Sequence, residues 1–256
     1  MTIWMALAVA AGLLAPTGGW RLAAEVDQCA LSHDFGPREA PTRLSFVPSL
    51  VKGGAEMTVS IPAADAKDSE AIGSFLSVSA GAESVPTRLY ARVVNDGADR
   101  RAVALPLLRE VWEAFGNFRT ISLKIAGTDV TLQMPPADRA QALLKICADD
   151  LVKSWGFNPA AFRAANPPRP KGRPIGRYFG SDSYPTAARK KKQTGRVGAL
   201  AMITADGRMT QCRIVHPAGP DLDAQTCRVV RDRVYWKPAT DEAGRAVDGV
   251  YEFNVV

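Results

Sequence analysis

Short runs in the first half of the chain alternate apolar and polar positions, the two-residue period of strands half-buried in a sheet. Residues 42–50 (TRLSFVPSL), 56–61 (EMTVSI), 74–79 (SFLSVS) and 87–94 (TRLYARVV) carry it, and Gly53-Gly54, Gly81 and Asn95-Asp96-Gly97 punctuate it with turns. The period then changes. Leu108, Val111, Trp112 and Phe115 stand at i, i+3, i+4 and i+7, an apolar stripe that predicts a helix over 105–115. Residues 120–125 and 129–134, joined by Ala126-Gly127-Thr128, predict a hairpin. A second helix starts after Pro135-Pro136 and runs to Trp155, with Gly156 as its stop. Leu143, Leu144, Cys147, Leu151 and Trp155 share one face of it, which turns Cys147 toward the core. Together these elements predict an α+β domain over residues 25–165.

Between 166 and 183 (NPPRPKGRPIGRYFGSDS) the periodicity vanishes and Pro and Gly become dense, the composition of an extended, semi-rigid linker. Pattern resumes at Tyr184-Pro185. It predicts a short helix over 186–192, a strand over 196–204 (RVGALAMIT), a turn at Ala205-Asp206-Gly207-Arg208 and a returning strand over 209–216 (MTQCRIVH). A helix follows over 221–234, ended by Trp236-Lys237-Pro238. Gly244 then turns the chain into a closing strand over 249–256 (GVYEFNVV). Helix, strand, strand, helix, strand makes a three-stranded antiparallel sheet with both helices on one face. The individual residues have physical roles in that arrangement. Pro185 suits a first helical turn, where its missing N–H is not needed. Gly207 allows a positive φ in a two-residue turn. Asp221 or Asp223 complements the positive end of the second helix, and Trp236 is a large core anchor.

Two hundred and fifty-six residues accommodate one or two domains, and 46% hydrophobic with 23% charged residues is the composition of a folded chain. Residues 1–20 carry no charge, and 3–15 (IWMALAVAAGLLA) are an apolar run too short to span a ~30 Å hydrocarbon core. Followed by Pro16 and small residues, the run reads as a secretory leader over residues 1–24, cleaved between Thr17 and Ala24, with an uncleaved inner-membrane anchor as the alternative. Export makes the four cysteines, Cys29, Cys147, Cys212 and Cys227, candidates for disulfides. Of the three pairings, one bridge per half is the simplest: Cys29 with Cys147, and Cys212 with Cys227.

The net charge of +6 suggests a polyanionic partner only until its location is considered. Residues 166–196 hold nine basic residues and one acid, Asp182, a net +8 that exceeds the whole chain's balance. Basicity is thus local to the linker and the helix it leads into. Aromatic residues do not interleave with Arg189-Lys190-Lys191-Lys192 and Arg196, so nucleic acid is not the expected partner. A solvated helix face is the ordinary role of such a run, and peptidoglycan or another anionic envelope surface its expected ligand if it binds one.

Read together, Tyr184-Pro185 before a small basic helix, Gly195-x-Val197 opening a strand, Asp206-Gly207-Arg208 in the hairpin, Leu222-Asp223 opening the second helix, Trp236-x-Pro238, and Gly244 before the last strand resemble the C-terminal domain of the TonB family. The resemblance covers residues 184–256. It departs at His216-Pro217-Ala218-Gly219, where the family often has Ser-Gly. It implies a periplasmic protein-binding module acting with outer-membrane transport machinery, in which a receptor's short TonB box pairs with the exposed edge of the last strand. Here that edge is the backbone of Gly249, Val250, Tyr251, Glu252, Phe253, Asn254 and Val255, with Val250, Glu252 and Asn254 facing one side and Tyr251, Phe253 and Val255 the other. Cover of this edge by the N-terminal domain, a linker segment or a second copy in a homodimer is the competing expectation. Energy transduction is not implied, because the expected spacer is short and a further domain precedes it.

No catalytic or cofactor signature accompanies these features. His33 and His216 each follow a cysteine by four residues, but disulfide bonding of Cys212 and Cys227 leaves no metal-ligand set. GxSxG, HExxH, P-loop and GxGxxG patterns are absent. Carboxylate pairs such as Asp149-Asp150 read as solvated surface. The expectation is a binding protein without cofactor or metal rather than an enzyme; the alternative is a structural envelope component whose N-terminal domain holds a cell-wall polymer or a protein.

Overall fold

The computed structural model describes residues 13–51, 53–62, 75–80, 83–88, 92–94, 96–97, 99–125 and 128–256. Residues 1–12 of the expected leader, and the turn residues Gly81, Asn95, Ala126 and Gly127, lie outside the described residues. The chain divides into two units, Met1–Leu151 and Val152–Val256.

In the first unit the strands are β1 (Leu13–Leu14), β2 (Pro16–Ala24), β3 (Cys29–Phe35), β4 (Thr42–Pro48), β5 (Ala55–Pro62), β6 (Phe75–Ala80), β7 (Glu83–Arg88), β8 (Arg92–Val94), β9 (Arg100–Leu107), β10 (Thr120–Ile125) and β11 (Thr128–Gln133). The helices are α1 (Arg109–Glu113) and α2 (Asp138–Ser154). One sheet runs β2-β3-β4-β5-β9-β8 and the other β1-β11-β10-β6-β7. Their inward positions, among them Leu31, Phe46 and Leu105 from the first sheet and Ile121 and Leu132 from the second, join one buried cluster with Leu144 of α2. Strict alternation in β3 buries Cys29, Leu31, His33 and Phe35. Cys29 is bonded there to Cys147 of α2, with 6.1 Å between their Cα atoms.

Two sequence expectations differ from this structure. The stripe read as a helix over 105–115 is the end of β9, the short α1 and a 3-10 turn at Phe115–Asn117. Eight consecutive residues of β9, Arg100 to Leu107, pair with β5, and that ladder outweighs a local helical period; Leu108 is left exposed. On α2 Leu144 is buried while Leu143 is 45% exposed, because the two sit about a quarter turn apart and only one meets the core. Residues 17–24, which include the expected cleavage window, belong to β2 in the structure, and β2 pairs with β3. Its Trp20 donates from Nε1 to the Pro136 carbonyl (3.0 Å), and its ring contacts His33, Phe46 and Phe115. These aromatic contacts, which no leader pattern reveals, give residues 16–24 a place in the sheet. No helix among the described residues is long and apolar enough to cross a membrane.

Burial sets the titration of His33. Its imidazole is 1% exposed, Nδ1 donates to the Asp34 carbonyl at 2.8 Å, and burial holds its pKa below the ordinary 6.5. The unfolded chain therefore takes up a proton first as pH falls. Stability from this site is complete above pH 6.5 and is lost progressively below it. At Asp34 burial acts upward, but hydrogen bonds from Arg43 and Arg21 outweigh it, so the carboxylate contributes a second loss only below pH 3.8. The first unit is expected to melt at a lower temperature at pH 5 than at pH 7.5. In His33→Gln that interval should flatten; an unchanged slope would assign the dependence to other groups.

In the second unit the elements are β12 (Arg169–Pro170), α3 (Thr186–Lys190), β13 (Val197–Ile203), β14 (Met209–His216), α4 (Pro220–Arg233), β15 (Trp236–Lys237), β16 (Ala239–Thr240), β17 (Ala246–Val247) and β18 (Gly249–Val255). The main sheet has the order β14-β13-β18, with both pairs antiparallel. Ala199, Ala201 and Ile203 of β13 and Phe253 of β18 form a buried cluster with Val229 and Val230 of α4 and with Trp236. Cys212 of β14 is bonded to Cys227 of α4 on that face, and α3 packs against α4. The β13–β14 turn has three loop residues rather than the expected two. Gly207 N donates to the Thr204 carbonyl (2.8 Å) and Thr204 N to the Arg208 carbonyl (2.9 Å), a turn closed by Gly207 at φ +81°. Only glycine fits there, since a Cβ would also stand 2.9 Å from the Trp236 carbonyl oxygen.

The expected linker, residues 166–183, is a packed part of this unit, which begins at Val152. Asn166 and Thr240 exchange backbone hydrogen bonds of 3.0 Å, β12 pairs with β15, and Lys171 N donates to the Tyr235 carbonyl (2.7 Å). Tyr178 is buried in the core cluster and donates from its hydroxyl to the Lys171 carbonyl (3.1 Å). Pro and Gly favour extended backbone whether it is solvated or laid along a strand, so composition alone does not separate a linker from a strap.

Candidate functional site

The expected binding strand is β18, and its register with β13 runs from Val197 opposite Val255 to Ile203 opposite Gly249. Tyr251, Phe253 and Val255 belong to the α4 side of the sheet, as the alternation predicts. Burial holds the Tyr251 hydroxyl above its ordinary pKa of 10.0, keeping it a neutral phenol. On the opposite side Val250 is buried whereas Glu252 and Asn254 are exposed. Among the described residues β18 pairs with β13 alone, so its second edge has no strand partner.

Two walls flank β18, and neither was read from the sequence. The first is the segment that opens the unit. Trp155 accepts from Gln211 Nε2 at its carbonyl (2.8 Å) and takes the Arg213 guanidinium over its ring at 4.4 Å. Phe157 and Phe162 are buried against each other at 5.7 Å, and the helical turn Pro159–Arg163 lies against β18. Arg213 and Cys212 are neighbours on β14 and point to opposite sides, so this segment covers the side away from α4. Three aromatic residues, Trp155, Phe157 and Phe162, on both sides of a helix-stopping Gly156 are the sequence signal that these residues leave solvent. The second wall is the strap itself: Pro168 sits on Gly249, where a Cβ would stand 2.9 Å from Pro168 Cδ and overlap Ala239.

The motif residues fall at both ends of β18: Gly207 meets Trp236 beside its Gly249 end, whereas Tyr184, Pro185 and Leu222 gather beside Val255. Tyr184 donates to the Gln193 carbonyl. Pro185 stands before α3 in extended conformation, one residue short of the expected first turn. Asp223 accepts from Ala218 N (3.0 Å), tying down the loop before α4, while Asp221 takes Lys191 (2.8 Å) and Gln193 (3.2 Å). Trp236 is 2% exposed, and Gly244 at φ +76° closes a turn in which its N–H donates to the Asp241 carbonyl (3.0 Å). Tyr184, Pro185 and Leu222 line a groove of about 310 Å³ together with Phe179, Val197 and Val255. Leu222 and Pro185, read from sequence as helix-boundary residues, thus also shape a surface next to the edge strand. No group of three or more His, Cys, Asp or Glu side chains suited to a metal ion occurs among the described residues.

Comparison with known proteins adds one finding. Residues 181–256 match the family model of the Gram-negative bacterial TonB protein C-terminal region, a periplasmic protein-interaction module. The match covers less than a third of the chain. No curated protein and no solved structure matches. The sheet order β14-β13-β18 and the Asp206-Gly207 turn agree with that match, and residues 181–256 are a TonB family C-terminal domain.

Proposed function

We propose that the chain is a non-catalytic, periplasmic binding protein whose second unit takes up an extended peptide of an outer-membrane TonB-dependent receptor by strand addition to β18. The observation that carries the reading is the second edge of β18, which no strand among the described residues pairs. An edge strand presents a row of backbone N–H and C=O groups, and an extended peptide satisfies them without any special side chain. Selectivity then falls to the peptide's alternate side chains, which meet Glu252 and Asn254 on one side and the α4 side on the other.

The test belongs on the peptide, because Phe253 and Val250 are core residues and a proline in β18 would damage the sheet itself. Peptides from receptor TonB-box segments are titrated into the full chain, each with one backbone amide N-methylated. Binding is expected to weaken at every second position and to be nearly unchanged between, since only alternate N–H groups of an added strand face β18. Uniform sensitivity, or none, contradicts strand addition.

A further inference from the structure

Strand addition leaves the groove beside β18 unassigned. Its walls are mostly apolar, contributed by Phe179, Tyr184, Pro185, Val197, Leu222 and Val255. Val255 is both the last residue of the edge strand and part of the groove. It shares the α4 side with Tyr251 and Phe253, so a peptide strand laid on β18 brings one of its own α4-side residues beside the groove mouth.

Charge narrows the occupant. Thr194 and Gly195 line the groove between Lys192 and Arg196, and Arg189 lies 5.9 Å from the Tyr184 ring. Arg189, Lys190, Lys192 and Arg196 are exposed and have no acidic partner among the described residues, while Asp221 and Asp182 are engaged by Lys191 and Arg233. A second copy of the chain is a poor occupant: its β18 would bring the same cationic rim, and its aromatic residues Tyr251 and Phe253 already face its own core. We infer that the groove receives a single bulky apolar side chain of the added peptide, and that acidic residues flank this anchor in the partner. The inference rests on the strand-addition reading and assigns that strand its anchor point.

A scan of synthetic peptides tests it with the full chain unaltered. Ten-residue peptides of alternating Thr and Val, with Asp-Asp at each end, carry Trp at each interior position in turn. Trp at one position is expected to tighten binding about tenfold, roughly 1.4 kcal/mol, with no gain at its immediate neighbours. Asn in place of Asp should weaken binding and flatten its salt dependence. In the protein, Gln225→Trp, which fills the groove from α4, should erase the Trp gain while sparing the parent peptide. Equal affinity for Trp at every position, with the alternating N-methyl pattern retained, overturns the anchor and leaves strand addition standing. Failure of every peptide to bind overturns both, as does a dimer that occupies this face and that peptide does not displace.

Discussion

Replacing Cys29 and Cys147 together by alanine is expected to destabilise the first unit by about 4–5 kcal/mol, the largest effect of any single bridge in the protein. The two cysteines are 118 residues apart, so the bond removes far more freedom from the unfolded chain than the Cys212–Cys227 bond, whose partners are 15 apart and whose loss should cost about 3 kcal/mol. It also ties β3, the strand under Trp20, to α2, the helix that closes the core. Hydrogen exchange resolved by segment checks the expectation. Protection should collapse across β3, β4 and β5 in the double alanine variant and persist in β13, whose core is a separate cluster. Equal loss in both clusters would mean that the two units unfold as one.

Trp236→Ala should cost about 3–5 kcal/mol and weaken peptide binding in proportion to the folded fraction lost. The indole is 2% exposed, packs against Tyr251 at a centroid distance of 5.0 Å, and belongs to the cluster that seats Phe253 of the edge strand. Its Nε1 has no hydrogen-bond partner among the described residues, so Trp236→Phe removes volume but no hydrogen bond seen there and should cost clearly less than alanine. Thermal unfolding of the three proteins decides this. If phenylalanine proved as damaging as alanine, the indole N–H would be a working donor and the packing account would be wrong.

The candidate site was partly legible because its main elements are local. Strands β13, β14 and β18 and helix α4 fall within one or two residues of their expected bounds. Gly207 and Gly244, whose backbone needs positive φ, mark their turns. The cysteine positions suggested both bonds before any geometry was known. The two walls flanking β18 were not legible for a different reason. Residues 155–170 and 166–183 have no period of their own; they are ordered by β14, β15 and β16, which lie dozens of residues away in sequence. In the first unit the same cause hid β9, whose pairing with β5 is also long-range, whereas β2 pairs locally with β3 and was hidden by its leader-like composition.

Sequence alone determined which segments are strands and helices in the last third, where charge collects, and which family the C-terminal residues resemble, since period, turn residues and composition are properties of neighbours along the chain. Tertiary structure decided that Trp20 belongs to a sheet, that the basic Pro- and Gly-rich segment straps a core instead of spanning a gap, and that β18 has one edge without a strand partner among the described residues, beside an apolar groove. Those outcomes depend on which distant backbone and side chains meet, and only packing sets that.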